Sequence, residues 1–195
     1  MKIIGDVHGK IQRYMEEVNG VNETVQLGDF GFKHEHDWFL QSMNVSKHKI
    51  LFGNHDYYPY LDKEHSITSN FFFDTEILYI RGAYSIDKHY RLAGLDWFEN
   101  EQFSYSESND LIDEVKERTN NKRMPTIFIT HDCPYTVYKE VFDIHDKNLT
   151  NQMLEAIWQT YQPRLWIHGH HHKEKRTRMN GTFFVSLGEL NSYIL

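Results

Sequence analysis

The sequence predicts an α/β fold in which mostly parallel strands are joined by crossover helices. Three observations carry this expectation. Short apolar runs alternate with helical repeats, strand, loop and helix in turn, through the first part of the chain. The Asp, His and Asn residues with chemical potential sit directly behind those runs, where the working loops of open α/β sheets lie. The 195 residues, 39% hydrophobic and 15% aromatic, suffice for one substantial core and are too few for two ordinary ones. One domain spanning 1–195 is expected.

Lys2–Ile4 reads as the first strand, feeding Gly5-Asp6-Val7-His8-Gly9. Lys10–Asn19 reads as a helix, because Ile11, Tyr14, Met15 and Val18 recur at three- and four-residue spacing and Asn19-Gly20 stops it. Thr24–Leu27 is a second strand, ending at Gly28-Asp29-Phe30-Gly31. Glu35–Met43 reads as a helix with Trp38, Phe39 and Met43 on one face, and Lys49–Phe52 as a third strand ending at Gly53-Asn54-His55-Asp56. Phe71–Phe73, Ile77–Ile80 and Ala83–Ile86 read as short strands around a turn at Arg81-Gly82, and Arg91–Leu95 as another, bending at Gly94. Ser106–Arg118 reads as a helix with Leu111, Ile112 and Val115 inward. Thr126–Thr130 is a β-branched and aromatic strand that ends at His131. Leu149–Tyr161 is a helix burying Met153, Leu154, Ile157, Trp158 and Tyr161, and Arg164–Ile167 is a strand. Lys175–Met179 and Thr182–Leu187 flank Asn180-Gly181, a strong hairpin signal.

Composition narrows the function. Lys and Arg number 21 against 28 Asp and Glu, a net charge of −7, which argues against nonspecific coating of nucleic acid. Cys133 is the only cysteine, so no disulfide framework exists and a reducing, cytoplasmic setting is expected. No signal peptide and no apolar run of membrane-spanning length is visible. The 13 histidines are many for this length, and His is the commonest metal ligand.

Asp6 and His8, Asp29, Asn54 and His55, His131, and His170 and His172 occupy five strand-end loops. Asp and Asn at one turn are ordinarily turn formers, and one His is ordinarily structural. Five such loops in succession exceed turn preference. His170-His171-His172 is neither at a terminus, where a purification tag sits, nor a free tract, since a strand precedes it and a hairpin follows. Carboxylates and imidazoles suit first-row divalent metals, and seven such side chains exceed the needs of one ion. Two ions about 3.5–4 Å apart clamp the attacking and leaving oxygens of an in-line displacement at phosphorus.

These motifs resemble the calcineurin-like metallophosphoesterase superfamily: GD-x-HG, GD, GNH[DE], a later His, and GH-x-H. They stand here, in order, as Gly5–Gly9, Gly28-Asp29, Gly53–Asp56, His131 and Gly169–His172. The resemblance implies a four-layered α/β/β/α sandwich with two mixed sheets flanked by helices. It implies one metal on Asp6, His8, Asp29 and His172 and a second on Asp29, Asn54, His131 and His170, with Asp29 bridging. Manganese is the expected pair, with Fe, Zn or Ni as alternatives. A metal-bridging hydroxide would attack phosphorus in line. Asn54 and His55 would meet the substrate, His55 as general acid or phosphoryl donor, and Asp56 would orient the Asn54-His55 loop. His168 and His171 match no ligand position.

The chain departs from the Ser/Thr protein phosphatase branch: Gly28-Asp29-Phe30-Gly31 lacks the GD-x-x-DRG extension, and Asp56 replaces the usual Glu. A compact phosphodiesterase or phosphatase of the bacterial and viral type is the closer analogue. The expected partner is a phosphate-ester substrate, a nucleotide among the candidates, with nucleic acid and oligomeric state left open. Competing readings are a phosphomonoesterase, a protein phosphatase included, a metal-free binding scaffold of the same fold, and a passive metal buffer. Phe30, Phe32, Tyr57, Tyr58 and Tyr135 could stack a base, though core packing is the more ordinary role. Lys173–Arg178 reads as a solvated hairpin face, Lys33-His34-Glu35-His36 as a helix start, and Cys133 as a small buried loop residue.

Overall fold

A strand sends successive side chains to opposite faces of its sheet, so a strand buried on both faces needs a layer on each side. Ile3 and Ile4, adjacent in the first strand, are both fully buried, as are Ile50 and Leu51 at the end of the third. The computed structural model describes residues 1–31, 44, 47–60 and 71–195. The described elements, in chain order, are β1 (Lys2–Ile4), α1 (Ile11–Val18), β2 (Thr24–Gln26), β3 (His48–Ile50), β4 (Phe71–Phe73), β5 (Ile77–Ile80), α2 (Tyr105–Asn120), β6 (Ile127–Thr130), α3 (Tyr135–Phe142), α4 (Leu149–Thr160), β7 (Leu165–His168), β8 (Lys175–Met179), β9 (Thr182–Ser186) and β10 (Ser192–Ile194).

The strands form two mixed sheets. One has the order β10-β1-β2-β3, parallel except for β10, and the other β4-β5-β6-β7-β9-β8, parallel except for the edge strands β4 and β8. Three apolar layers separate four structural ones. Ile3, Val25, Leu27 and Leu51 of the first sheet meet Ile129, Ile167 and Val185 of the second. Ile4, Ile50 and Phe52 pack outward onto Ile11 and Tyr14 of α1. Leu78, Phe128, Trp166 and Phe184 pack outward onto Leu111, Val137, Leu154 and Trp158 of α2, α3 and α4. The α/β/β/α expectation therefore holds. Each such buried side chain contributes about 1.5–3 kcal/mol of transfer free energy, which makes the inter-sheet layer a rigid base for the loops it carries.

Helix ends follow local chemistry. Ser104 and Glu107 form a reciprocal capping box on α2, and Asn148 and Asn151 another on α4. Such caps contribute about 1 kcal/mol each. In α1, Met15 stays 37% exposed, so the buried stripe is narrower than the spacing implied. Asn180 and Gly181 both take positive φ, 45° and 85°, as the tight β8–β9 hairpin requires.

The structure departs from the sequence reading at four places. Ala83–Ile86 is not a strand, because the Ser85 amide is bound by the Glu101 carboxylate instead of a neighbouring strand. Arg91–Leu95 is a knot of turns closed by Leu92 N donating to Asp96 Oδ1 and Gly94 N to Trp97 O. The helix α3 was not expected from the sequence: it starts behind Pro134 and buries Val137, Tyr138 and Phe142. The strand β10 was also unexpected, and it exists through antiparallel pairing with β1. The expected Glu35–Met43 helix, Phe32 and Lys33-His34-Glu35-His36 lie outside the described residues.

Candidate metal centre

Each loop leaves the carboxyl end of a parallel strand, and the two sets of strand ends meet. His170 N donates to both Asp6 carboxylate oxygens at 3.2 and 3.1 Å, and Gly169 N donates to His131 O at 3.0 Å. Leu190 N donates to Asp6 O at 2.9 Å, and Gly82 N to Phe52 O at 2.8 Å. Backbone thereby fixes carboxylate and imidazole positions before any side chain chooses a rotamer.

All seven expected ligand residues come together. Ligand atoms of Asp6, His8, Asp29 and His172 lie within 4.8 Å of one another, as do those of Asp29, His131 and His170. Asn54 joins the second group, its Oδ1 3.2 Å from His131 Nε2. Asp29 belongs to both groups. Its Oδ1 accepts from His55 N at 2.7 Å and lies 3.3 Å from His131 Nε2, while Oδ2 is buried with no hydrogen-bond partner among the described residues. His170 Nδ1 is likewise buried and has no partner among the described residues. In the other group, His8 Nε2 and His172 Nε2 stand 2.8 Å apart, with Asp6 Oδ2 3.2 Å from His172 Nε2. Orphaned buried acceptors are costly unless something pairs with them, and a pair of divalent cations fits this donor set.

The tautomers suit ligation. His131 Nδ1 lies 2.8 Å from Leu27 O, so Nδ1–H donates there and Nε2 faces the cluster. The electrostatics are set by burial and by Asp29. Burial alone would raise the Asp29 carboxyl, but the His131 ring, with His55 and His170, overrides it and holds Asp29 well below the usual carboxylate range. Burial, the largest influence, would lower His131, but the charge and hydrogen bond of Asp29, with Asp6 and Leu27 O, together raise it to about 10, so a cation at Nε2 would displace a proton held there. Burial pushes His170 down to about 3, leaving a neutral imidazole. Burial and then the neighbouring Asp29 charge push Asp56 up to about 7.

The backbone is strained where the chemistry sits. Four of the ligand residues take positive φ: His8 at 48°, Asp29 at 54°, His170 at 66° and His172 at 52°. Such conformations cost about 1–3 kcal/mol each and persist when their surroundings over-determine them. Gly53 admits no side chain, since a Cβ there would stand 2.5 Å from His131 Cε1 and Nε2 and collide with Asp29 Oδ1.

Supporting residues complete the cluster. Asp56 accepts from Gly53 N at 2.8 Å and Gly31 N at 2.9 Å, tying the Asp29 loop to the Asn54-His55 loop. Asn54 Nδ2 donates to Ser85 Oγ at 3.1 Å, and Ser85 Oγ donates to Glu101 Oε2 at 2.8 Å. His55 lies at the exposed mouth, its ring 5.4 Å from that of His8. Arg91 Nη2 is 2.7 Å from His55 Nε2, and Arg91 Nη1 donates to Asn54 O at 3.2 Å. Asp87 anchors the same guanidinium at 2.8 Å. Burial, with Arg91 adding to it against the pull of Asp29, lowers the His55 pKa. Ser85, Glu101 and Arg91 carried no signal in the sequence, since they lie in irregular chain and acquire their roles only through the fold.

Phe30 and Tyr58 are buried in the core, and Tyr57 packs against it. Tyr135 Oη donates to His145 O at 3.4 Å, with Lys147 Nζ 4.6 Å above its ring. Lys173–Arg178 forms a largely solvated face, where Arg176 pairs with Glu174 at 3.2 Å. Among the described residues, no helix is long and apolar enough to cross a membrane.

Residues 1–194 match the family model described as calcineurin-like phosphoesterase superfamily domain. Among solved structures, the chain is similar to a provisionally assigned 5'-nucleotidase from Staphylococcus aureus crystallised with alpha-ketoglutarate. The identity is 14% and the TM-score 0.57, with 96% of this chain covered and 48% of that one, so the chain spans about half that protein's length. It also matches the phosphopantetheinyl hydrolase of Mycobacterium tuberculosis at 14% identity and a TM-score of 0.49, covering 96% of this chain and 89% of that one. No curated protein matches.

Proposed function

The chain belongs to the calcineurin-like phosphoesterase superfamily and is a phosphoester-hydrolysing enzyme, and from that premise we propose that it cleaves phosphodiester or phosphomonoester bonds with two divalent cations. Asp6, His8, Asp29 and His172 would hold one cation, and Asp29, Asn54, His131 and His170 the other. The observation that carries this reading is Asp29, common to both groups, with one buried oxygen left without a partner among the described residues. Cations held there supply Lewis acidity, lowering the pKa of water and offsetting charge on a phosphoryl group. Manganese is the expected pair, with Fe, Zn or Ni as alternatives, because the donor set is nitrogen and oxygen only.

The chain's own residues do the rest. Asp6, fixed by His170 N, and His131, fixed by Leu27 O, keep the acceptors aimed inward at no cost in rotamer entropy on loading. His55 and Arg91 together offer N–H donors at the mouth, placed to grip phosphoryl oxygens. His55 would act as general acid toward the departing oxygen or as a donor to the phosphoryl oxygens. Asn54 helps to seat the substrate through the same loop. The substrate is a nucleotide or another small phosphate ester, residues 1–195 act as one domain, and the single cysteine supports a reducing, cytoplasmic setting.

Metal analysis joined to assays on bis-nitrophenyl and mono-nitrophenyl phosphate with added Mn²⁺ tests the reading. Metal-dependent turnover is expected. A metal-loaded protein that turns over neither ester would overturn it in favour of a scaffold or a metal buffer.

A further inference from the structure

Behind the two-cation cluster lies a second set of ligand-type side chains that the proposed hydrolysis does not use. We infer that Cys133, His168 and His171 form a third metal site, a three-ligand site for Zn²⁺. Ligand atoms of Cys133, His168 and His171 lie within 4.8 Å of one another. Cys133 Sγ is 3.4 Å from His171 Nε2, and the same nitrogen is 3.4 Å from Asp132 Oδ1. Ligands on tetrahedral zinc, with bonds of about 2.0–2.3 Å, stand about 3.3–3.8 Å apart. The Cys133–His171 edge falls in that window.

Asp132 stands beside the group as a buried counter-charge, its Oδ1 accepting from Cys133 N at 2.7 Å. It is 0% exposed, and its Oδ2 is buried with no hydrogen-bond partner among the described residues. A carboxylate withdrawn from water needs compensation. Zn²⁺ against one thiolate and one carboxylate gives a neutral site, which removes that cost. His168 Nδ1 lies 3.3 Å from Gly169 O, so Nδ1–H donates there and Nε2 keeps its lone pair. A carbonyl behind an imidazole is the usual support of a ligating ring. The His171 ring is held between Phe142, stacked at 4.1 Å, and Tyr138, edge-on at 4.7 Å.

The donor set selects the ion. One thiolate with two imidazoles favours zinc over manganese or magnesium. The site's place in the fold gives it work: Asp132 and Cys133 follow His131 on one loop, and His168 and His171 bracket His170 on the next. An ion held here would staple the two loops that carry three of the ligands of the two-cation cluster. The site does not depend on how that cluster functions.

Cobalt substitution tests the inference on the full chain. Cys133 is the only cysteine, so a thiolate-to-cobalt charge-transfer band can arise from no other residue. Chelator-stripped wild-type protein titrated with Co²⁺ should develop that band, and Zn²⁺ should abolish it. Cys133→Ala should lack the band and retain one equivalent of metal fewer than wild type. His171→Gln and Asp132→Asn should each weaken cobalt binding at the band by about tenfold or more. No band in wild type at saturating cobalt overturns the site, and so does a band that His168→Gln and His171→Gln leave unchanged. The wild-type spectrum alone decides the first point, whatever the variants do to folding. Loss of the band with turnover intact would leave the two-cation reading standing.

Discussion

Ser85→Ala isolates a contact that acts on a proposed ligand from behind. Asn54 can present either its carbonyl or its amide nitrogen to the cluster, since the two ends of the group have nearly the same shape. The Ser85 hydroxyl selects one. It accepts from Asn54 Nδ2 at 3.1 Å while donating to Glu101 Oε2 at 2.8 Å, and this leaves Oδ1 beside His131 Nε2 at 3.2 Å. Ser85 and Asn54 are 1% and 3% exposed, so water does not readily replace the lost partner. An unsatisfied buried donor costs about 1–3 kcal/mol. If that cost falls on the orientation that binds metal, affinity for one of two cations should drop about 5- to 150-fold, at 1.4 kcal/mol per tenfold. Calorimetric titration of the stripped protein with Mn²⁺ reads this directly: one site should weaken and the other should hold. Turnover at saturating Mn²⁺ should recover most of the wild-type rate. If both Mn²⁺ affinities stay within about twofold of wild type, Ser85 does not orient Asn54 and this reasoning fails.

Three further outcomes are expected. His55→Ala should cost about 10²–10⁴ in rate, and more on alkyl than on nitrophenyl esters, because a poor leaving group needs the proton; equal losses on both would count against the acid role. Arg91→Ala should raise KM by about tenfold on mono-nitrophenyl phosphate and less on the diester, since the guanidinium beside His55 offsets the second charge of a monoester; steady-state kinetics on the pair would reveal an equal shift if Arg91 merely packs. Burial raises the Glu101 carboxyl from 4.5 to about 7 against the pull of the Ser85 hydrogen bonds. The folded protein then keeps a proton that the unfolded chain has released, so the stability from this group is complete below about pH 4.5 and lost as pH rises through 7, by at most about 1.4 kcal/mol per unit. Glu101→Gln should flatten that slope in denaturant unfolding of metal-free protein, and parallel slopes in the two proteins would refute it.

The alternation of apolar runs and the residues behind them were legible because both are local. A strand of period two and a helix of period 3.6 leave their marks within ten residues, and Asp6, Asp29, Asn54, His131 and His170 each follow such a strand directly. The short strands at Ala83–Ile86 and Arg91–Leu95 failed because side chains from other segments, Glu101 and Asp96, took the backbone donors. The helix α3 has only eight residues and little period to read, and β10 depends on a partner 190 positions away in sequence, at the opposite end of the chain.

The sequence by itself determined the two kinds of layer, the five chemical loops and the choice of nitrogen and oxygen donors, since these follow from residue type and short-range spacing. Only the tertiary structure decided that Asp29 lies in both ligand groups, that Ser85 and Glu101 stand behind Asn54, and that Arg91 faces His55. It also decided that Cys133 meets His171. Those are distances between segments far apart in the chain, and they are fixed by how two sheets pack through one apolar layer, which no local pattern encodes.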